Sequence, residues 1–163
     1  MNGASDASGH APSTATVPRT LTPRKDPEMK MIFVSLPVTD LAASRSFYEA
    51  LGFTLNPAFS DDATASMVWS ETITVMLLTH ERWATFTDRP IAPTTSSEVM
   101  LSLSIDSRAA VDAMNNAAAA QGGTADINPV KDLGFLYNRN LADPDGHVWE
   151  AVWMDMSAAP AEA

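Results

Sequence analysis

The stretch Asp143-Pro144-Asp145-Gly146-His147-Val148-Trp149-Glu150 decides the fold, because it writes a turn, a strand start and one placed carboxylate into consecutive residues. Asp143 suits the first position of a type I turn, Pro144 presets the backbone of the next, and Gly146 closes the turn without a side-chain clash. A strand is predicted to follow over residues 147–153. Alternation along it puts His147, Trp149, Ala151 and Trp153 on one face and Val148, Glu150 and Val152 on the other. Glu150 therefore projects from a mostly apolar face, where an ionised carboxylate needs a metal, a cation or hydrogen-bond donors unless water at the sheet edge solvates it.

Upstream of this stretch the chain repeats one order of elements. Residues 31–37 read as a strand, Asp40 can cap a helix running from Leu41 to about Leu51, and Gly52 supplies its stop. Leu41, Ser44, Phe47, Tyr48 and Leu51 share one helical stripe and are read as core. Strands are predicted at residues 54–59, 66–69 and 73–79, the last two joined by a turn at residues 70–72. The order then recurs. A strand at residues 99–105 precedes a cap at Asp106 or Ser107, a helix to about Gln121, a Gly122-Gly123 stop, and strands at residues 124–128, 135–141 and 147–153. Each half is thus strand, helix, strand, strand, strand, an α+β fold of two tandem βαβββ modules at about residues 31–79 and 98–156. In the connection, residues 80–97, His80, Trp83 and Phe86 recur every three residues ahead of Pro90 and Pro93. It reads as a short amphipathic helix with an irregular tail, either burying Trp83 and Phe86 against the sheet or forming a lid.

Composition bounds the function. The chain has 163 residues, enough for one domain over residues 31–156, with tails at residues 1–30 and 157–163. The N-terminal tail is rich in Ala, Ser, Thr and Pro without an apolar core, so it is expected to be disordered rather than a secretory signal. A net charge of -10 and scattered Lys and Arg argue against nucleic acid and anionic membranes as partners. Zero cysteines rule out disulfides and thiolate chemistry and suit a cytoplasmic location. No apolar run approaches the roughly 20 residues of a membrane span.

The duplicated module, Phe33-Val34-Ser35-Leu36-Pro37-Val38-Thr39-Asp40-Leu41 with Ser44-Arg45-Ser46-Phe47-Tyr48 and Leu51-Gly52-Phe53, and the closing Asp143-to-Glu150 stretch resemble the vicinal oxygen chelate superfamily over essentially residues 31–156. That group includes glyoxalase I, bleomycin-resistance proteins, fosfomycin-resistance enzymes and extradiol dioxygenases. The resemblance implies a cupped mixed sheet and, in metal-dependent members, one His or Glu ligand on the first and last strand of each half. By position those ligands fall at Phe33, Leu77, Met100 and Glu150, and only Glu150 can hold a divalent ion. Ser35 and Ser102, the nearest alternatives, are weak ligands. No cofactor is expected, and a divalent metal is disfavoured.

What the resemblance implies instead is a glyoxalase/bleomycin-resistance-like protein that binds a small, partly apolar molecule in its cup. Phe33, Ser35, Trp69, Leu77, Met100, Ser102 and Glu150 are the expected lining, with Met67, Val75 and Val148 candidates for the same face. On the neighbouring strand either Tyr137 with Arg139 or Asn138 with Asn140 completes it. The same side chains could instead fill the cup as core. Two enzymatic alternatives stand beside binding: a lyase or isomerase with Glu150 as general base, and metal-dependent glyoxalase-like chemistry through His80, His147, Glu71 or Glu81. A homodimer, formed by exchanging modules or docking sheet edges, is expected by resemblance.

Overall fold

Why each module has its shape follows from its first helix. Asp40 accepts from the amide of Ala43 at 3.0 Å and starts α1 (Leu41–Ala50), which carries the chain across the back of a sheet so that the first strand, β1 (Ile32–Val38), can pair in parallel with the last. The computed structural model describes residues 29–96 and 98–159; the expected tails up to residue 28 and from residue 160 lie outside them. In the first module β2 (Thr54–Leu55), β3 (Thr64–Ser70) and β4 (Ile73–Thr79) complete a sheet of order β1-β4-β3-β2. A four-residue helix, α2 (His80–Trp83), begins the connection. The second module repeats the plan with β5 (Met100–Ser104), α3 (Arg108–Ala120), β6 (Thr124–Ala125), β7 (Lys131–Asp132), β8 (Leu136–Ala142) and β9 (Val148–Met154). Its order is β5-β9-β8-β6, with β7 also paired to β8. The α+β fold of two βαβββ modules is therefore present, one mixed sheet to each module.

Local chemistry accounts for the departures from expectation. The strand predicted over residues 54–59 keeps only Thr54 and Leu55, because Asn56 caps a 3-10 turn at Pro57–Phe59, where proline has no amide to donate to a ladder. Ser107, not Asp106, caps α3 by accepting from the amide of Ala110 at 3.1 Å. The strand predicted over residues 124–128 ends at Ala125, since Asp126 takes a left-handed backbone with φ 53. β7 is a short addition that no alternation in the sequence signals.

The two sheets share one core. From the first come Leu36, Val38, Met67, Val75 and Leu77; from the second, Leu103, Leu141, Trp149 and Ala151; between them lie Phe47 and Tyr48 of α1 and Val111 and Met114 of α3. The predicted α1 stripe is buried as expected at Ser44, Phe47, Tyr48 and Leu51, with Leu41 half-buried.

The Asp143-to-Glu150 stretch fastens the modules together. Asp145 accepts from the Thr39 amide at 2.9 Å, from the Thr39 hydroxyl at 2.7 Å and from Ser44 Oγ at 3.2 Å, so the second module holds the start of the first module's helix. Tyr48 donates to Asp143 Oδ2 at 2.8 Å and accepts from Trp149 Nε1 at 3.0 Å. Around that phenol, Phe47, Phe53 and Trp149 pack edge-on with ring centroids 5.2–5.9 Å away.

The seam leaves no room at Gly123, where an added Cβ would sit 2.5 Å from the Ala142 carbonyl and 2.5 Å from the buried Phe47 ring. Gly123→Ala is accordingly expected to lower the stability by about 1–3 kcal/mol, the usual cost of overpacking; urea denaturation monitored by tryptophan fluorescence measures it, and an unchanged midpoint would contradict so close a seam.

Candidate functional site

Because each sheet buries one face against the shared core, its other face is open, and strand parity decides which side chains appear there. On the first sheet, β1 and β4 pair with Phe33 opposite Thr74 and Ser35 opposite Met76. Phe33, Ser35, Thr74 and Met76 accordingly line a cavity of about 620 Å3. Ser66 and Val68 of β3 form its floor, and Phe59, Arg82 and Phe86 stand around it. This volume suits a drug-sized molecule, and the mix of apolar walls with a few hydroxyls is that of a binding site.

The expected lining divides three ways. Phe33 and Ser35 face this cup. Leu77 and Trp69 do not: Leu77 is fully buried in the core one step out of phase, and Trp69 lies on the helix side, its ring 4.9 Å from Phe53. Met67 and Val75 are core for the same reason of parity. The bulge in β3 between Val68 and Ser70 keeps Trp69 outside the ladder. Phe86 is 71% exposed at the rim and is not buried against the sheet, while Trp83 is half-buried.

Met100, Ser102 and Glu150 come together on the open face of the second sheet. Ser102 pairs with Glu150 across β5 and β9, and its hydroxyl donates to Glu150 Oε2 at 2.6 Å. Asn138 Nδ2 donates to the other carboxylate oxygen, and Asn140 Nδ2 approaches Met100 Sδ at 3.7 Å. Of the two sets left open on the neighbouring strand, the asparagines therefore take this face. Tyr137 and Arg139 point the other way and clamp α3: Tyr137 donates to Asp112 at 2.8 Å, and Arg139 is held between Asp112 at 2.9 Å and Asp126 at 2.7 Å. Arg108 stacks over Tyr137 and Trp153, 4.9 and 5.1 Å from the ring centroids, completing that structural face. Two neutral donors, Ser102 and Asn138, thus hold the Glu150 carboxylate.

The metal positions implied by resemblance do not fit a divalent ion. On the open faces they are occupied by Phe33, Met100 and Glu150, with Met76 where parity replaces Leu77. Among the described residues no three His, Cys, Asp or Glu side chains converge on one point. A single carboxylate, with thioether and phenyl groups at the other implied positions, offers too few oxygen or nitrogen donors.

His147 belongs to the seam. It is 7% exposed, with Nδ1 2.7 Å from Glu98 Oε1 and Nε2 2.8 Å from the Pro37 carbonyl, so both ring nitrogens face acceptors and only the protonated ring can donate to both. Burial opposes that charge; the fields of Asp143 and Glu98 and the Pro37 carbonyl outweigh it, and the imidazole titrates above its ordinary value. Burial lifts the Asp143 carboxyl above the usual carboxylate range, and the Tyr48 phenol well above its own.

Sequence reasoning missed Met76, Leu78, Phe59 and Arg82 as cup residues, while Phe86, expected either against the sheet or in a lid, borders the cup. The signal available was the polar run Ser66 and Thr74 on positions of the same parity, which marks a face that is not core.

The chain matches a family model described as Glyoxalase/Bleomycin resistance protein/Dioxygenase superfamily over residues 30–151. No curated protein matches it in sequence. Solved structures with similar folds include hypothetical protein SA1046 from S. aureus, 26% identical with TM-score 0.64, covering 75% of this chain and 92% of that one. A glyoxalase/bleomycin resistance protein/dioxygenase family enzyme from Burkholderia phytofirmans PsJN is 20% identical with TM-score 0.63, covering 76% and 97%. A glyoxalase/bleomycin resistance protein from Albidiferax ferrireducens T118 is 26% identical with TM-score 0.58, covering 76% and 97%. No helix among the described residues is long and apolar enough to cross a membrane.

A histidine whose folded pKa is raised stabilises fully below its unfolded value, about 6.5, and loses that contribution as pH rises through the folded value. Stability is therefore expected to fall as pH is raised above about 6.5. His147→Gln should flatten this slope and cost about 1–3 kcal/mol at the acid end, where buried acceptors lose their donor. Thermal melts across pH check both, and equal slopes in the two proteins would contradict the assignment.

Proposed function

The chain belongs to the Glyoxalase/Bleomycin resistance protein/Dioxygenase superfamily, and we propose that it binds a small, partly apolar molecule in the cup of its first sheet without the metal used by metal-dependent members. Fold alone does not specify activity, so the reading rests on the site. The single observation that carries it is the open cavity of about 620 Å3 with Phe33, Met76 and Leu78 on its walls and Ser35, Ser66 and Thr74 among them. Apolar walls exclude water, and sparse hydroxyls orient a guest. The donor set supports metal-free binding, since Glu150 is the sole ligand-type residue at the implied positions. We place the protein in the cytoplasm, in keeping with its lack of cysteine.

A homodimer supports this site. β1 pairs only with β4, and β5 only with β9, so each sheet ends on a strand whose outer backbone groups are unpaired among the described residues. Ile32 and Phe33 on one edge and Val99 and Met100 beside the other are 41–61% exposed. Long apolar edges of this kind call for a covering strand. Joining β1 of one copy to β5 of another would continue the first sheet into the second and carry Glu150, Ser102 and Met100 onto the rim of the cup. That juxtaposition is what a general-base role for Glu150 would require, because within one chain Glu150 and the cup lie on different sheets.

Thermal-shift screening of small planar and apolar compounds in the presence of a chelator should yield ligands that raise the melting temperature by several degrees, as binding to the native state alone does. Met76→Glu, which puts a charge in the cup, should abolish the shift; no hit from the library, or hits indifferent to this substitution, would refute the cup. Light scattering at micromolar concentration is expected to give twice the 17.4 kDa chain mass, and a monomer would refute the dimer.

A further inference from the structure

Charge is distributed unevenly around the cup. Of the charged side chains lining it, Glu71 and Arg82 sit at opposite ends. Glu71 occupies the β3–β4 turn, where Ser70 pairs with Ile73; Arg82 follows the far end of β4, where Leu78 pairs with Thr64. The two ends are roughly 17 Å apart at about 3.4 Å per residue. At the Arg82 end stand Phe59 and Phe86, 69% and 71% exposed, so two phenyl rings border the cavity with most of their surface in water. Apolar surface of this kind marks a place where something else docks.

Arg82 is positioned but not saturated. Its backbone amide is capped by Thr79 Oγ1 at 3.3 Å, which fixes the start of α2, and its Nη2 donates to Asp61 Oδ2 at 2.8 Å. Nε and Nη1 have no protein partner among the described residues. A guanidinium offers five donors in a planar fork, and this chain shows one arginine serving two carboxylates at once: Arg139 holds Asp112 and Asp126 together. The remaining donors of Arg82 can take a second anion beside Asp61 in the same way.

We propose that the cup selects an amphiphilic organic anion, a molecule whose apolar, ring-bearing body lies along Phe59 and Phe86 and whose carboxylate or sulfonate docks on Arg82. The inference rests on the cup being a binding site, and adds the class of its ligand. Apolar contact supplies affinity for the body, and the charge-assisted fork supplies orientation and the preference for an acid. The hydroxyls of Ser35 and Ser66, level with Met76 midway along β4, then face the middle of the guest, and Thr74 lies nearer the Glu71 end.

Two fluorescent probes with the same ring system separate the parts of this statement: anilinonaphthalene sulfonate carries the acid, and N-phenylnaphthylamine lacks it. The full chain is expected to bind both at one site, the sulfonate about tenfold more tightly, the equivalent of about 1.4 kcal/mol. Arg82→Gln should remove that tenfold preference and leave the neutral probe unchanged, Arg82→Lys should retain part of it, and Asp61→Asn, which removes the competing carboxylate, should tighten the sulfonate. Equal affinity for the two probes, an equal loss of both in Arg82→Gln, or a loss of sulfonate binding in Asp61→Asn would overturn the anion preference while leaving the cup intact. Failure of both probes to bind, or binding that survives Met76→Glu, would overturn the cup itself.

Discussion

The structure depends on one buried phenol. Tyr48 sits at the junction of α1 with both sheets, donates to Asp143 and accepts from the indole of Trp149, so a side chain of the first module completes the turn and strand of the second. Buried polar groups are costly unless paired, and here each of the three is paired to another across the seam. Phe47, Phe53 and Trp149 surround the phenol edge-on, and Asp145 and His147 add bonds to Thr39, Ser44 and the Pro37 carbonyl. The seam thus concentrates polar satisfaction and aromatic packing in one place, which is why two modules with separate sheets share a single core.

From that packing follows the position of the cup. Once both sheets press their helix-facing sides into the shared core, their other faces are turned away from it. The first becomes a cavity lined by aromatic, thioether and hydroxyl side chains. The second becomes a polar patch where Ser102 and Asn138 hold Glu150. Glu150 is not a lone acid in a greasy pocket within the chain, because strand parity gives it two neutral donors and the sheet topology puts it on a different sheet from Phe33. Arg139 and Tyr137, which alternation left free to serve a ligand, instead hold α3 to its sheet through Asp112, and Arg139 also ties down Asp126 just after β6.

How far the site was legible depended on the strand. In β1, Phe33 and Ser35 alternate with Leu36 and Val38, and the open face could be read. In β4 the run over residues 73–78 is apolar on the core face and, apart from Thr74, apolar on the cavity face as well, so alternation is a weak guide there and Leu77 proves to lie on the core side. Trp69 shares the parity of Met67 and so lies on the helix side, while the bulge after Val68 only leaves it outside the ladder. Phe59, Arg82 and Phe86 reach the cup from a 3-10 turn and from the connection after β4, segments with no periodicity to interpret.

The sequence by itself determined the module, its duplication and the capped helices, because these depend on local signals: Asp40 as a cap, Gly52 as a stop, the Asp143-to-Gly146 turn and the apolar stripe of α1. It also carries the observation that, of the implied metal positions, Glu150 alone bears a ligand-type side chain, since phenyl and thioether groups such as those of Phe33 and Met100 are poor ligands for a hard cation. Only the tertiary structure decided which face of each apolar strand is open, which asparagines meet Glu150, and that Asp143, Asp145 and His147 act as the fastener between modules. The fastener rests on contacts between residues roughly a hundred positions apart, and the open faces on how whole strands pair and pack, neither of which a local preference encodes.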